Sequence, residues 1–354
     1  MKKLFFILSI FILSARLASA QTAQEKIDSL LDNYYAEGVL NGAVLVSVNG
    51  EIFYQNGFGF ANFEESIPND PKTIFEIGSC TKQFTAALIM MLREEGKIDL
   101  EAKITDYLPY YPQKNGDKIT IHHLLSHTSG IPECLNLPKM KALLFKENDP
   151  VELMDIFWNR KLDFEPGSNL KYSNSGFLVL GVIIEAITGK SYEDVLHERI
   201  FTPLKMASSG VVDITNIRKG SAYGYIKIKN KLTTAPRWNL SCAYSAGAIY
   251  STIEDLYKWQ LALQSNSLLS KESMEIMLTP NFSQYGYGFA ILNRSHKDGN
   301  KYTLYGHEGD TPGFRSLINI VREDNSSVII LDNNRNTNHF KIATAIRNII
   351  YENN

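Results

Sequence analysis

The sequence predicts a mixed α/β (α+β) fold: one antiparallel sheet built from both chain ends and flanked by helices, with a mostly helical subdomain inserted between them. Three observations carry this. An amphipathic helix and a hairpin open the chain, several strand-like runs and a second amphipathic helix close it, and helical periodicity dominates the middle.

The elements follow in order. Lys2 and Lys3 precede an apolar run from Leu4 to Leu13, and Ala18-Ser19-Ala20 precedes Gln21. This is the pattern of a secretory signal peptide over residues 1–20, cut near Ala20. The apolar run is about half the ~20 residues that a bilayer crossing needs, and no cysteine follows the cut to accept a lipid. The expectation is an exported protein, periplasmic or secreted, without a stable membrane anchor. From Ala23 to Glu37, apolar residues at Ile27, Leu30, Leu31, Tyr34 and Tyr35 give a helix that stops at Gly38. Val44–Val48 and Glu51–Gln55 then flank Asn49-Gly50, whose residues tolerate the positive φ of a two-residue hairpin turn.

Helical patterns at Leu153–Trp158, Phe177–Ile187, Tyr192–Ile200 and Ile253–Leu263 alternate with Pro/Gly-punctuated loops. Strand-like runs return at Tyr285–Leu292, Tyr302–His307, Phe314–Arg322 and Val328–Asp332, with turn formers such as Asp298-Gly299 and Asp324-Asn325 between them. Phe340, Ile342, Ala345, Ile346, Ile349 and Ile350 form the apolar face of a last helix. The expected division is a sheet subdomain at about 21–75 and 240–354 and a helical subdomain at about 76–239. No internal repeat is visible.

Composition excludes several function classes. With 44% hydrophobic and 21% charged residues the chain is an ordinary globular one. Without residues 1–20 it keeps 33 basic against 38 acidic side chains, so no positive field attracts nucleic acid. Three cysteines, Cys80, Cys134 and Cys242, are too few for a disulfide framework, although a Cys134–Cys242 bridge stays open. Gly57-Phe58-Gly59 lacks the third glycine of a dinucleotide fingerprint, and Gly189-Lys190-Ser191 lacks the glycine that opens a phosphate loop. No cofactor is expected. The sequence also has no Gly-x-Ser-x-Gly elbow.

Three short segments can carry chemistry. Ser79 and Lys82, three apart, open a run so apolar, Phe84 to Leu92, that its helix must be buried. Desolvation and the positive helix end lower the Lys82 pKa, and a serine beside a neutral lysine is an activated nucleophile. Taken singly, the same spacing fits an N-capping serine followed by a solvent-directed lysine. Tyr172-Ser173-Asn174 lies in a polar loop and offers a phenol and an amide, or else a capping turn. His307-Glu308-Gly309 ends a strand, with a glycine that lets a backbone N–H approach a ligand, or else simply turns the chain.

In this order, Ser-x-x-Lys, Tyr-x-Asn and His-x-Gly resemble the three motifs of the serine β-lactamase and penicillin-binding-protein superfamily, closest to its class C β-lactamase, DD-carboxypeptidase and esterase branch. Similar stretches run through Phe75–Thr85, Ile119–Pro132, Tyr172–Met206, Ser245–Leu263, Tyr285–Phe289 and Gly306–Phe314. The resemblance implies a β-lactamase/transpeptidase-like fold and an acyl-enzyme acting on an amide or ester. Ser79 would be the nucleophile, Lys82 its proton-transfer partner and Tyr172 the general base. Asn174, His307, Glu308, Gly309 and Asp310 would contact substrate, with an oxyanion hole between the N–H groups of Ser79 and Asp310.

Departures from the pattern matter as well. Glu308 stands where relatives carry Thr or Ser, and with Asp310 it would repel a substrate carboxylate unless Arg315 compensates. A small-molecule or peptide substrate is the only partner expected. The three motifs leave open β-lactams and D-alanyl peptides as substrates, and a non-catalytic binding protein of the same fold. His123 and His127, four apart, have the spacing of a zinc pair, but lie in a His-Leu-Leu-x-His-Thr-Ser-Gly segment that looks structural in the same superfamily.

Overall fold

The structure is a computed structural model that describes residues 22–229, 231–295 and 299–351. The expected leader and Asp298 of the expected Asp298-Gly299 turn lie outside the described residues. Helix α1 spans 22–36. It leads into strands β1 (Gly42–Val48) and β2 (Glu51–Phe58), joined through Asn49 at φ 54° and Gly50 at φ 78°, as the hairpin reading requires. The sheet is completed from the other end of the chain by β3 (Ala290–Ser295), β4 (Lys301–Thr311), β5 (Phe314–Val321) and β6 (Ser326–Asp332).

The strand order is β3-β4-β5-β6-β1-β2, and every neighbouring pair is antiparallel. The two chain ends meet along β1 and β6, in register from Gly42↔Asp332 to Ser47↔Ser327. Alternation gives each face its own core. Val44, Val46, Leu317 and Ile330 pack against α1 and the last helix, α6 (His339–Tyr351); Ala43, Leu45, Ile318 and Ile329 pack against the helical part of the chain. The apolar run of β1 is buried on both faces for this reason.

In the middle of the chain, α2 (Thr81–Glu94) buries twelve consecutive residues, Thr81 to Leu92, as its composition demanded. Against it packs α4 (Asn174–Thr188), closed by Gly189 at φ 67°. Between them, the single turn α3 (Ile121–Leu125) ends at Ser126, and His127 stands beyond it at φ 59°. His123 and His127 therefore do not share a helix face, and the geometry behind a zinc pair is absent. Further along, α5 is Ile253–Ser265.

The largest departure from the expected elements is at Tyr285–Leu292. The strand begins only at Ala290, because Gly288 adopts φ 75° where a Cβ would meet the Lys82 carbonyl at 2.7 Å, so this segment lies against the start of α2. The helix expected at Leu153–Trp158 is instead Pro150–Met154, opened by the Asp149 carboxylate. Cys80, Cys134 and Cys242 are all buried free thiols. No single described helix is long and apolar enough to cross a membrane.

Candidate active site

Ser79 sits in one 3-10 turn, Gly78–Cys80, that runs directly into α2. Two glycines bring β4 against this turn. A Cβ at Gly78, whose φ is 49°, would lie 2.8 Å from Asp310 N, and one at Gly309 would lie 1.9 Å from Ile77 O. Ser316 Oγ donates to Ile77 O at 2.7 Å, and the Cys80 thiol donates to the His307 carbonyl at 3.2 Å. Neither glycine tolerates a side chain without moving the Asp310 N–H away from the nucleophile turn.

Lys82 is fully buried one turn on, and its Nζ meets three acceptors: Asn174 Oδ1 at 2.7 Å, Ala246 O at 2.8 Å and Ser79 Oγ at 3.1 Å. Burial pulls its pKa down to about 7, offset first by the Glu133 carboxylate. A neutral amine has two N–H bonds and one lone pair. Asn174 Oδ1 and Ala246 O are pure acceptors that take both N–H bonds, so the lone pair is left for the hydroxyl of Ser79. The arrangement is that of a base hydrogen-bonded to a nucleophile.

Tyr172 lies over Lys82, with Nζ 4.8 Å from the ring centroid. Although 38% of Tyr172 is exposed, the protein packed around it raises the phenol pKa above its ordinary value, opposed by the Ser79 hydroxyl. His127 supports the tyrosine from below. Its ring is 4.4 Å from that of Tyr172 and its Nδ1 accepts the Ser173 N–H at 3.2 Å. Burial, then Lys82 and His307, hold His127 well below the usual histidine range, so it is neutral.

His307 is buried as well. Its Nδ1 faces the Glu308 carbonyl at 2.5 Å and its Nε2 faces the Tyr285 hydroxyl at 2.9 Å. Burial, reinforced by Lys82, pushes its pKa down to about 3.

Glu308 requires a correction. Register pairs share a sheet face, and Glu308 pairs with Leu317 on the α1/α6 side, whereas His307 pairs with Ile318 on the Ser79 side. Glu308 therefore leaves the sheet on the face opposite His307, although it still lines the cavity that adjoins the site, and its carboxylate lies 3.8 Å from Arg315. The Asp310 carboxylate is held by Arg335 through two contacts, at 2.9 and 3.2 Å. The pair of unbalanced negative charges expected from the third motif is not there.

Three contributors were missed in the sequence. Glu133 accepts the Asn174 backbone N–H at 2.5 Å and its Nδ2 at 3.0 Å; Ala246 supplies a carbonyl to Lys82; Tyr285 holds His307. All act across the fold, and a carbonyl carries no side-chain signal at all. A cavity of about 320 Å³ adjoins the site, lined by Tyr172, Tyr285, His307, Leu292, Leu304 and Phe340 among others, with Glu308 as its one acidic residue. Another of about 300 Å³, beside Glu76 and Arg218, includes none of the residues around Ser79 and is not where this chemistry lies. Among the described residues no group of His, Cys, Asp or Glu has the arrangement of a metal site.

Residues 25–350 match the Beta-lactamase family model. A putative penicillin-binding protein, PbpX, of Bacillus subtilis (strain 168) is 32% identical over 324 residues, which is 90% of this chain and 78% of the relative. The crystal structure of a penicillin-binding protein from Bacillus halodurans superposes with a TM-score of 0.80 at 28% identity, covering 91% of this chain and 98% of the other. The D-amino acid amidase of Ochrobactrum anthropi SV3, complexed with L-phenylalanine, gives a TM-score of 0.79 at 26% identity, covering 94% and 98%.

Proposed function

The chain belongs to the beta-lactamase family, and on that premise we propose that it is an exported serine hydrolase acting through an acyl-enzyme on uncharged amides or esters. The observation that carries the reading is the buried Lys82 Nζ 3.1 Å from Ser79 Oγ, with Asn174 Oδ1 and Ala246 O placed to take both N–H bonds of its neutral form.

In acylation, Ser79 Oγ bonds to the substrate carbonyl carbon while its proton passes to Lys82 Nζ. The carbonyl electron pair moves onto oxygen, between the N–H groups of Ser79 and Asp310, each such donor being worth roughly 3–4 kcal/mol. Collapse breaks the bond to the leaving group. Burial raises the Tyr172 pKa, so the phenol is protonated near neutral pH and has a proton to give: Tyr172 passes it to the departing amine or alcohol and recovers one from Lys82. Water then adds to the acyl carbon, passes its proton through the Tyr172–Lys82 pair, and Ser79 Oγ leaves with that proton.

The substrate reading rests on two features. His307 brings no positive charge where the Lys of the β-lactamase Lys-Thr-Gly motif would, and the adjoining cavity offers Leu292, Leu304 and Phe340. Uncharged, apolar groups suit both. Action on β-lactams or D-alanyl peptides is the second reading, favoured by the penicillin-binding names of relatives. Export is proposed from residues 1–20.

The test is a substrate panel on purified protein, covering neutral acyl esters, amino-acid amides, D-alanyl peptides and a chromogenic cephalosporin, with mass spectrometry of trapped intermediates. Turnover of neutral esters or amides with an acyl adduct on Ser79 is expected. Adduct formation without turnover would make the protein a binder, and preferred turnover of the cephalosporin would bring the second reading forward.

A further inference from the structure

Glu133 lies just beyond α3, in the chain between the His127 segment and the 3-10 turn Cys134–Asn136. One oxygen, Oε2, takes the Asn174 backbone N–H at 2.5 Å; the other, Oε1, takes Asn174 Nδ2 at 3.0 Å and the Leu135 N–H at 3.0 Å. A carboxylate only accepts hydrogen bonds, so the amide nitrogen of Asn174 must face it and the amide oxygen must face the other way. That way is Lys82, at 2.7 Å. With the amide reversed, Nδ2 would donate into the Lys82 lone pair and leave Ser79 without a base.

We propose that Glu133 is a positioning residue for nucleophile activation: it fixes the Asn174 amide so that the Lys82 lone pair is directed at Ser79, and it is the anion that balances the Lys82 ammonium. This deepens the serine-hydrolase reading and rests on Ser79 being the nucleophile. The titratable groups that face Lys82 are Cys80 on its own turn, Glu133 and Cys134 after α3, His127, Tyr172, and His307 on β4. Burial raises both thiols and the phenol and lowers both histidines, so these five are neutral near pH 7, and Glu133 is the one carboxyl group among those facing Lys82. Its attraction works against the burial that lowers the Lys82 pKa.

The sign follows. The competent form of Lys82 is the neutral amine, so nucleophile reactivity rises with pH through its pKa. Removing the Glu133 charge favours the neutral amine and moves that rise to lower pH. Reversing the Asn174 amide lowers the plateau. A residue that merely caps the turn at Cys134 would do neither.

The rate at which a fluorophosphonate labels Ser79, measured from about pH 5 to about pH 9, tests this without needing the natural substrate. Glu133→Gln should lower the plateau at least about thirtyfold and move the acidic limb down by at least about half a pH unit. Glu133→Asp, which keeps the charge on a shorter arm, should leave the limb in place with a smaller loss of rate. It serves alone if the Gln variant does not fold, and a displaced limb in the Asp variant would then overturn the proposal. A Gln variant with an unmoved limb, or one impaired only in KM for amine-bearing substrates, makes Glu133 a structural or substrate-contact residue instead. A parent that labels Ser79 but turns over no ester or amide defeats the hydrolase reading and leaves this proposal intact. A parent that does not label at Ser79 defeats both.

Discussion

The Tyr285 hydroxyl lies 2.9 Å from His307 Nε2. Since His307 Nδ1 faces the Glu308 carbonyl at 2.5 Å, it must carry the ring proton, and Nε2 accepts from Tyr285. The imidazole has no free lone pair and, with its pKa pushed down to about 3, no charge. This contact governs what the third motif offers a substrate: polarity beside Tyr172, but no cation.

Charge selectivity should therefore respond to His307 and not to Glu308. His307→Lys should raise kcat/KM for a carboxylate-bearing cephalosporin by about tenfold or more relative to a neutral ester, the scale of one charge-assisted hydrogen bond. Glu308→Thr should leave that ratio within about twofold, because the carboxylate, although it lines the adjoining cavity, leaves the sheet on the face opposite His307 and has Arg315 3.8 Å away to offset its charge. A large gain in the Thr variant would restore the direct repulsion that the sequence suggested.

Replacing Ser79 by Ala should abolish turnover. The side chain is half-buried and its loss opens only a small gap, so the denaturation midpoint should correspond to a change within about 1 kcal/mol. Residual turnover within about tenfold of the parent would show that another group is the nucleophile.

The parent's kcat/KM should rise with pH through about 7, as Lys82 loses its proton, and level off above it. Lys82→Arg should lose at least ~100-fold at every pH, since a guanidinium does not give up its proton near neutrality. An Arg variant of near-normal activity would reduce Lys82 to a fixed charge.

Glu76 provides a stability test away from the chemistry. Its carboxyl is buried, takes a hydrogen bond from Thr311 Oγ1 at 2.8 Å, and is raised by desolvation from 4.5 to about 7. The unfolded chain releases this proton from about pH 4.5 and the folded protein only near 7. The parent thus loses stability as pH rises between those values, by about 3 kcal/mol in all. Glu76→Gln should remove this contribution, gaining on the parent between pH 5 and pH 8 in urea denaturation. Parallel pH curves for the two proteins would mean that Glu76 ionises freely in the fold.

Ser79 and Lys82 were legible because their relationship is local: three residues apart at the start of an apolar helix, they meet whatever the rest of the chain does. The Asn49-Gly50 hairpin and the amphipathic ends were legible for the same reason, since turn chemistry and periodicity are properties of a short segment. Only the tertiary structure decided which face of β4 carries Glu308, because alternation fixes that neighbours oppose each other but not which of them points at the site; pairing with β5 sets the phase. It also decided that α3 ends before His127, that Ala246 turns its carbonyl to Lys82, and that Glu133 holds Asn174 across 41 residues of chain. In each case the contact depends on the spatial approach of two segments, and separation along the chain carries no record of that approach.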